Sequence, residues 1–237
     1  MKHLTQADLQ AWLTAITHPL ATAPELLPWI EGPLRDFFPY KGVVLGHGEL
    51  VVGQLKVTHM LASGHDAEYL RQISKTFELA QRGSLQWWFV NRQPFVIDPK
   101  NPPPYASAFE IEEIDKFGLR NVAGHGVLNA KTNAGTYFGF AGVRPPLSAW
   151  HLEALRLLAP VLNDLFLAHI AQTDGLTLVS KLTPREKSVV RHLVSGMDNK
   201  TIALALGISE KTVRNQLAEI YARLGVRRRS ELIVLLK

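Results

Sequence analysis

The chain has no cysteine among its 237 residues, which removes disulfides, thiolate metal sites and cysteine nucleophiles together and leaves no argument for an oxidising compartment. It also lacks long apolar runs. No stretch approaches the ~18 uninterrupted apolar residues of a membrane span, and the start from Met1 to Asp8 has no secretory apolar region, so a cytoplasmic chain with no membrane partner is expected. HExxH, a phosphate-cradling Gly-Lys-Ser/Thr and a Gly-x-Ser-x-Gly elbow are all missing, so an enzyme is not expected. What remains is an ordinary globular mixture, 46% apolar and 20% charged, long enough for one large domain or two unequal ones.

Histidines are the remaining candidates for chemistry. His47 and His125 each sit between glycines, and His65 follows Gly64. Three imidazoles could assemble a metal site or a base in a cleft. Glycine-flanked histidines read more simply as turn residues, so no metal and no cofactor is expected.

Charge is unevenly placed. Residues 181–237 carry 12 Lys and Arg against 5 Asp and Glu, a net of +7, whereas residues 1–180 carry 14 and 16, a net of −2. That asymmetry suggests a basic module for a polyanion joined to a neutral module. Charge does not separate nucleic acid from a membrane surface, so the residue pattern must.

Along the chain, Leu9, Leu13 and Ile16 predict a helix over residues 6–18 stopped by Pro19, and a second helix is expected over 24–37, bent near Gly32-Pro33. Residues 42–47 and 50–61 read as strands about a Gly48-Glu49 turn. Leu70, Ile73, Phe77 and Ala80 predict a helix over 66–81, and the aromatic-rich stretch 85–97 reads as a strand that Pro94 places at an edge or a break. Four prolines between 99 and 104 require a loop. A short acidic helix over 106–117 follows, then strands over 119–130 and 136–143 about an Asn133–Gly135 turn. A long helix capped by Ser148 is expected to end at Thr173–Gly175. The result is an α+β chain: a helix-flanked, mainly antiparallel sheet over 1–172, a linker over 173–180, and an all-α domain over 181–237. Such a sandwich suits ligand sensing or dimerisation, and fold alone does not choose.

The carboxy-terminal segment is the most specific. Thr183-Pro184-Arg185-Glu186 is a helix start with Thr183 as N-cap, Pro184 at the first helical position and Glu186 closing a capping box. Val189, Val190, Leu193 and Val194 form its apolar face. A second helix runs from Asn199 to Leu206 with Asp198 as cap and Ile202, Ala205 and Leu206 inward. Gly207 stops it, and Ile208-Ser209 leads straight into a third, the spacing of a helix-turn-helix. On that third helix Val213, Leu217, Ile220 and Leu224 share one stripe. The opposite face is Lys211, Arg214, Asn215, Ala218 and Ala222. It offers a guanidinium able to fork onto guanine, an amide able to pair with adenine, and small residues that permit close approach.

Leu182–Glu186, Gly196–Ala203, Leu206–Ser209, Lys211–Val213 and Leu224–Val226 together resemble the LuxR-type four-helix DNA-binding domain over about 55 residues. The resemblance implies a homodimer on double-stranded DNA, each recognition helix in a major groove, and a fourth helix from Ser230 to Leu236 contributing to dimerisation. It makes Arg214, Asn215 and Ala218 the base-reading positions and puts Lys200, Lys211, Thr212, Gln216 and Arg227 near phosphates. Two positions depart from the pattern: Ala218 stands where many relatives carry a polar or basic reader, and Arg228 completes an unbroken run from Arg227 to Arg229 that could meet phosphate.

The amino-terminal part starts with helices and lacks an early acidic pair, so it does not resemble a phosphorelay receiver. Phe117–Arg120, Gly135–Gly139 and the following long helix resemble the second half of acyl-homoserine-lactone receptor domains, a sandwich of the autoinducer-domain or GAF-like kind. Trp87 and Trp88 followed by Asp98-Pro99 are similar to the aromatic-then-Asp-Pro pattern that holds the ligand amide there, which makes Trp87, Trp88 and Asp98 candidates for a pocket; ordinary sheet core is the other reading of the two tryptophans. Only 19 residues, rich in proline, separate Asp98 from Gly118, too few for the helices that normally intervene. Phe37–Pro39 and Asn91–Pro94 make the whole chain more similar to EpsA-like LuxR-type regulators, a group associated with exosortase and extracellular-polysaccharide loci. A small-molecule or protein effector is compatible with these readings, as is a ligand-free domain that dimerises the output module or docks a protein.

Overall fold

The computed structural model describes residues 3–74, 77–129 and 133–236. Its contacts divide into two units, residues 1–167 and 168–237.

The first unit is built on a six-stranded, wholly antiparallel sheet in the order β3-β2-β1-β6-β5-β4, with β1 Gly42–Val51, β2 Gln54–Ser63, β3 Phe77–Glu78, β4 Phe95–Ile97, β5 Val122–Asn129 and β6 Ala134–Ala141. Helices α1 Gln6–Ile16, α2 Leu26–Glu31 and α3 Pro33–Phe37 precede the sheet; α4 Ala67–Ile73, α5 Gly83–Asn91 and α6 Ala108–Lys116 interrupt it; α7 Ala149–Ser180 follows it, its residues 149–167 belonging to this unit. Side chains alternate across each strand. Leu45, Phe138 and Phe140 belong to the face on which an aromatic cluster assembles. There Phe38 stacks on Trp150 at 5.7 Å and meets Phe140 edge-on at 5.0 Å, and Trp12 reaches Phe37 at 5.2 Å. The opposite face is covered by Leu85, Trp88, Phe95, Ile97 and Ile114. The residues Ala149–Asp174 of α7 are long and apolar enough to cross a bilayer by length and composition. Ala154, Leu155, Leu158, Leu162 and Phe166 on that stretch are buried, which is the behaviour of a core helix.

The α+β architecture is as expected, with local corrections. The β1–β2 turn is at Val52-Gly53, both at positive φ, and Gly48 instead marks a β-bulge where the register shifts against β2. The helix expected over 66–81 stops at Ile73, and Phe77–Glu78 pairs with β2; residues 75 and 76 lie outside the described residues. The stretch expected as one strand over 85–97 is helix α5 plus the short β4. Leu85, Trp88 and Phe89 recur at helical spacing, and burying that stripe outweighs the strand preference of aromatic and β-branched residues. Helix α7 runs on past Thr173–Gly175 to Ser180, so the segment 173–180 is helical rather than irregular.

The second unit carries α8 Pro184–Val194, α9 Asn199–Leu206, α10 Glu210–Leu224 and α11 Arg229–Leu236 around its own core of Val189, Leu193, Ile202, Val213, Ile220 and Leu232. Thr183, Asp198 and Ser209 cap the first three, each side-chain oxygen accepting a backbone N–H. On α9 the buried alanine is Ala203; Ala205, expected inward, is exposed.

Candidate nucleic-acid interface

The turn between α9 and α10 sets the exposed helix. Gly207 ends α9 at φ +65°, a left-handed conformation that costs glycine nothing, and the Ile208 N–H reaches back to the Ala203 carbonyl at 3.0 Å. Ser209 then caps α10 by accepting from the Thr212 N–H at 3.0 Å. Val213, Leu217, Ile220 and Leu224 are buried as the stripe requires. Lys211, Arg214, Asn215, Ala218 and Ala222 are all exposed on the other side.

The remaining expected contact positions divide. Lys200 on α9 and Arg227 before α11 are exposed; Thr212 is half-buried and its hydroxyl pairs with Ser209 at 2.8 Å. Gln216 is half-buried with its Oε1 buried and unpaired. The basic run is not uniformly available. Arg229 donates to the Leu193 and Met197 carbonyls at 3.1 and 2.6 Å, satisfying the end of α8, and Arg228 pairs with Glu231 at 2.8 Å. Arg223 pairs with the buried Glu186 at 2.6 Å, fastening α10 to α8. Glu186 also accepts from the Thr183 N–H and hydroxyl, and these bonds with the neighbouring guanidinium hold its carboxyl below the usual range. Sequence spacing exposed the capping box, but not that its glutamate would also receive an arginine from 37 residues away.

In the first unit a cavity of about 130 Å³ lies between the sheet and α4, α5 and α6. Trp88 lines it, 2% exposed, with its Nε1–H unpaired. The structure does not bring the other two pocket candidates there: Trp87 stacks on Tyr105 at 4.8 Å, and Asp98 accepts the Lys100 N–H at 3.0 Å within the proline-rich loop. The polar wall is built from residues that sequence spacing does not single out. Glu113 receives both terminal nitrogens of Arg82, at 2.6 and 2.7 Å, and Glu110 accepts from Ser84 and Ser107. Burial opposes the Arg82 charge, and the paired Glu113 outweighs it, raising the guanidinium above its ordinary value. An acidic helix reads as a solvated face; the available cue was Ser107 with Glu110 at capping-box spacing. His65 lines the cavity, while His47 and His125 alternate to the other face of their strands, and among the described residues no group of His, Asp and Glu is placed to hold a metal ion.

Residues 180–236 match the family described as bacterial regulatory proteins, luxR family. The spore germination protein GerE of Bacillus subtilis is 47% identical over 53 residues, covering 22% of this chain and 72% of GerE. The probable HTH-type transcriptional regulator GfsR of Streptomyces halstedii is 43% identical over 53 residues, 22% of either chain. The match thus spans only about a quarter or less of longer relatives such as GfsR and YdfI of Bacillus subtilis. Among solved structures, Escherichia coli SdiA is similar over 97% of this chain and 94% of its own, at 16% identity and a TM-score of 0.45. The N-acylhomoserine-lactone-dependent factor CepR2 of Burkholderia cenocepacia is similar over 69% of this chain and 98% of its own, at 15% identity and 0.46. At that level neither ligand nor assembly transfers. With a helix-turn-helix module matched over residues 180–236 and shared with GerE over 72% of GerE's length, the chain belongs to the luxR family of bacterial regulatory proteins.

Proposed function

We propose that the chain is a cytoplasmic transcription regulator that binds double-stranded DNA as a homodimer, with α10 in the major groove, under the control of an amino-terminal sensor unit. The exposed face of α10 carries the reading: Lys211, Arg214, Asn215, Ala218 and Ala222 lie opposite a buried stripe, so their side chains are not needed for the core. Arg214 forks onto guanine, Asn215 pairs with adenine, and the two alanines admit the helix to base edges. Lys200, Lys211, Thr212 and Arg227 hold phosphates. Gln216 joins them through Nε2, since its Oε1 is an acceptor, as phosphate is. The resemblance to EpsA-like regulators extends the proposal to extracellular-polysaccharide genes, which a genome-wide map of bound sites tests.

In a second reading the amino-terminal unit is a scaffold that only dimerises the output module or docks a protein. The cavity, with its unpaired indole N–H, favours a sensor. Binding of the full chain to duplex DNA at several salt concentrations tests the proposal. Each neutralised phosphate contributes a slope of about −0.9 in log K against log salt, and bound sites should hold half-sites about one helical turn apart. Binding indifferent to salt contradicts it.

A further inference from the structure

The cavity-facing positions of the three central strands are unusually rich in glycine, and a ring covers four of them. A Cβ at Gly42 would meet the His65 ring at 2.8 Å, at Gly124 the Phe95 ring at 2.5 Å, at Gly126 the Trp88 ring at 2.8 Å, and at Gly139 the Tyr137 ring at 3.1 Å. Removing the side chain from a strand leaves a shallow trough in which a flat group can lie against backbone. Gly46, on the same face, is the exception: it lines the cavity, and a Cβ there would meet nothing within 4 Å. Tyr137, its partner on β6, leans along its strand toward Gly139 and Gly124, which leaves the space above Gly46 clear. The cross-strand row Gly46, Tyr137, Gly126 carries the Trp88 indole at its far end.

The polar inventory restricts what fits. Among the described residues two carboxylates line the cavity against one guanidinium, and that guanidinium is engaged by Glu113. Glu110 is satisfied by Ser84 and Ser107. Among the described residues the unpaired buried atoms on the wall are Trp88 Nε1 and His65 Nε2, and burial holds His65 down to about 4, so its imidazole is neutral near pH 7. Among the described residues an anion would therefore find no spare cation, and a cation would find Glu110 already held by the Ser84 and Ser107 donors; burying either ion unpaired is costly. The volume, about 130 Å³, is close to that of an engineered apolar cavity of about 150 Å³ that takes up benzene.

We propose that the amino-terminal unit binds an uncharged, planar, single-ring molecule with a hydrogen-bond acceptor, its ring lying in the trough over Gly46 and its acceptor on the Trp88 N–H. This rests on reading the unit as a sensor and adds the class of ligand. Calorimetry on the full chain without DNA tests it with four probes of similar size: acetophenone, benzoate, benzylamine and cyclohexyl methyl ketone. Acetophenone is expected to bind saturably, and the two ions and the non-planar ketone about tenfold or more weakly. Gly46→Val should abolish acetophenone binding while the far-ultraviolet circular dichroism stays unchanged, and Gly46→Ala, whose Cβ enters open space, should weaken it in a chain of unaltered fold. Trp88→Phe should cost about tenfold, the loss of one hydrogen bond. Equal binding of all four probes, undiminished binding by Gly46→Val, or no saturable binding of acetophenone at millimolar concentration overturns the proposal. Acetophenone binding that leaves DNA affinity unchanged would remove the sensor reading and support the site.

Discussion

Single side chains separate holding from reading in the carboxy-terminal unit. Arg229 satisfies the Leu193 carbonyl at the end of α8 and the Met197 carbonyl in the turn that follows, whereas Arg227, two residues away, is exposed. Arg229→Ala should therefore lower the unit's stability by roughly 1–3 kcal/mol, read by circular dichroism in urea. Arg227→Ala should leave stability within about 0.5 kcal/mol and flatten the salt slope of DNA binding. The reverse pattern would mean the two roles are exchanged. Histidines supply the counterpart in the first unit. Burial lowers His65 and His125 to about 4, with Arg156 adding to the effect at His125. In the unfolded chain they titrate near 6.5. The unfolded state thus binds more protons between about pH 6.5 and 4, and stability must fall as pH falls through that window. All five tryptophans lie in the first unit, so the urea midpoint followed by tryptophan fluorescence should drop between pH 7 and 4.5; a flat midpoint would contradict the burial.

At the scale of elements, the β1–β2 hairpin carries a local conflict. Its turn residues Val52 and Gly53 both have positive φ, at 48° and 77°, the two-residue pattern that favours Asn-Gly. Val52 is 97% exposed, so its side chain gains nothing from burial to offset a left-handed β-branched backbone. Val52→Asn should stabilise the chain by about 1 kcal/mol, measured as a raised unfolding midpoint; a loss of stability would mean the hairpin closes differently. The same hairpin is only partly legible in the sequence. Gly48-Glu49 looked like the turn because glycine marks both turns and bulges, and Val52-Gly53 carried too little turn chemistry to compete. In α5 the Leu85–Trp88–Phe89 stripe was present, but the strand preference of its aromatic residues pointed the other way. Glu110 and Glu113 were hidden because charge reads as exposure until a partner such as Arg82, distant in sequence, is folded against it. The caps, the Gly207 stop and the α10 stripe were legible because local hydrogen bonds and helical periodicity decide them.

For the molecule as a whole, the division of labour follows the charge division: a near-neutral sandwich with an apolar cavity and a basic four-helix unit with its own core. In the proposed function the exposed face of α10 reads base pairs. The most direct measurement is the affinity of the full chain and of the Arg214→Ala, Asn215→Ala and Lys211→Ala variants for a panel of operator sequences at several salt concentrations. Arg214→Ala and Asn215→Ala should each cost roughly 1–3 kcal/mol on the preferred sequence and relax preference at one or two base pairs. Lys211→Ala should weaken all sequences about equally and reduce the salt slope by about one. Uniform weakening by Arg214→Ala and Asn215→Ala, with base preferences intact, would contradict the account.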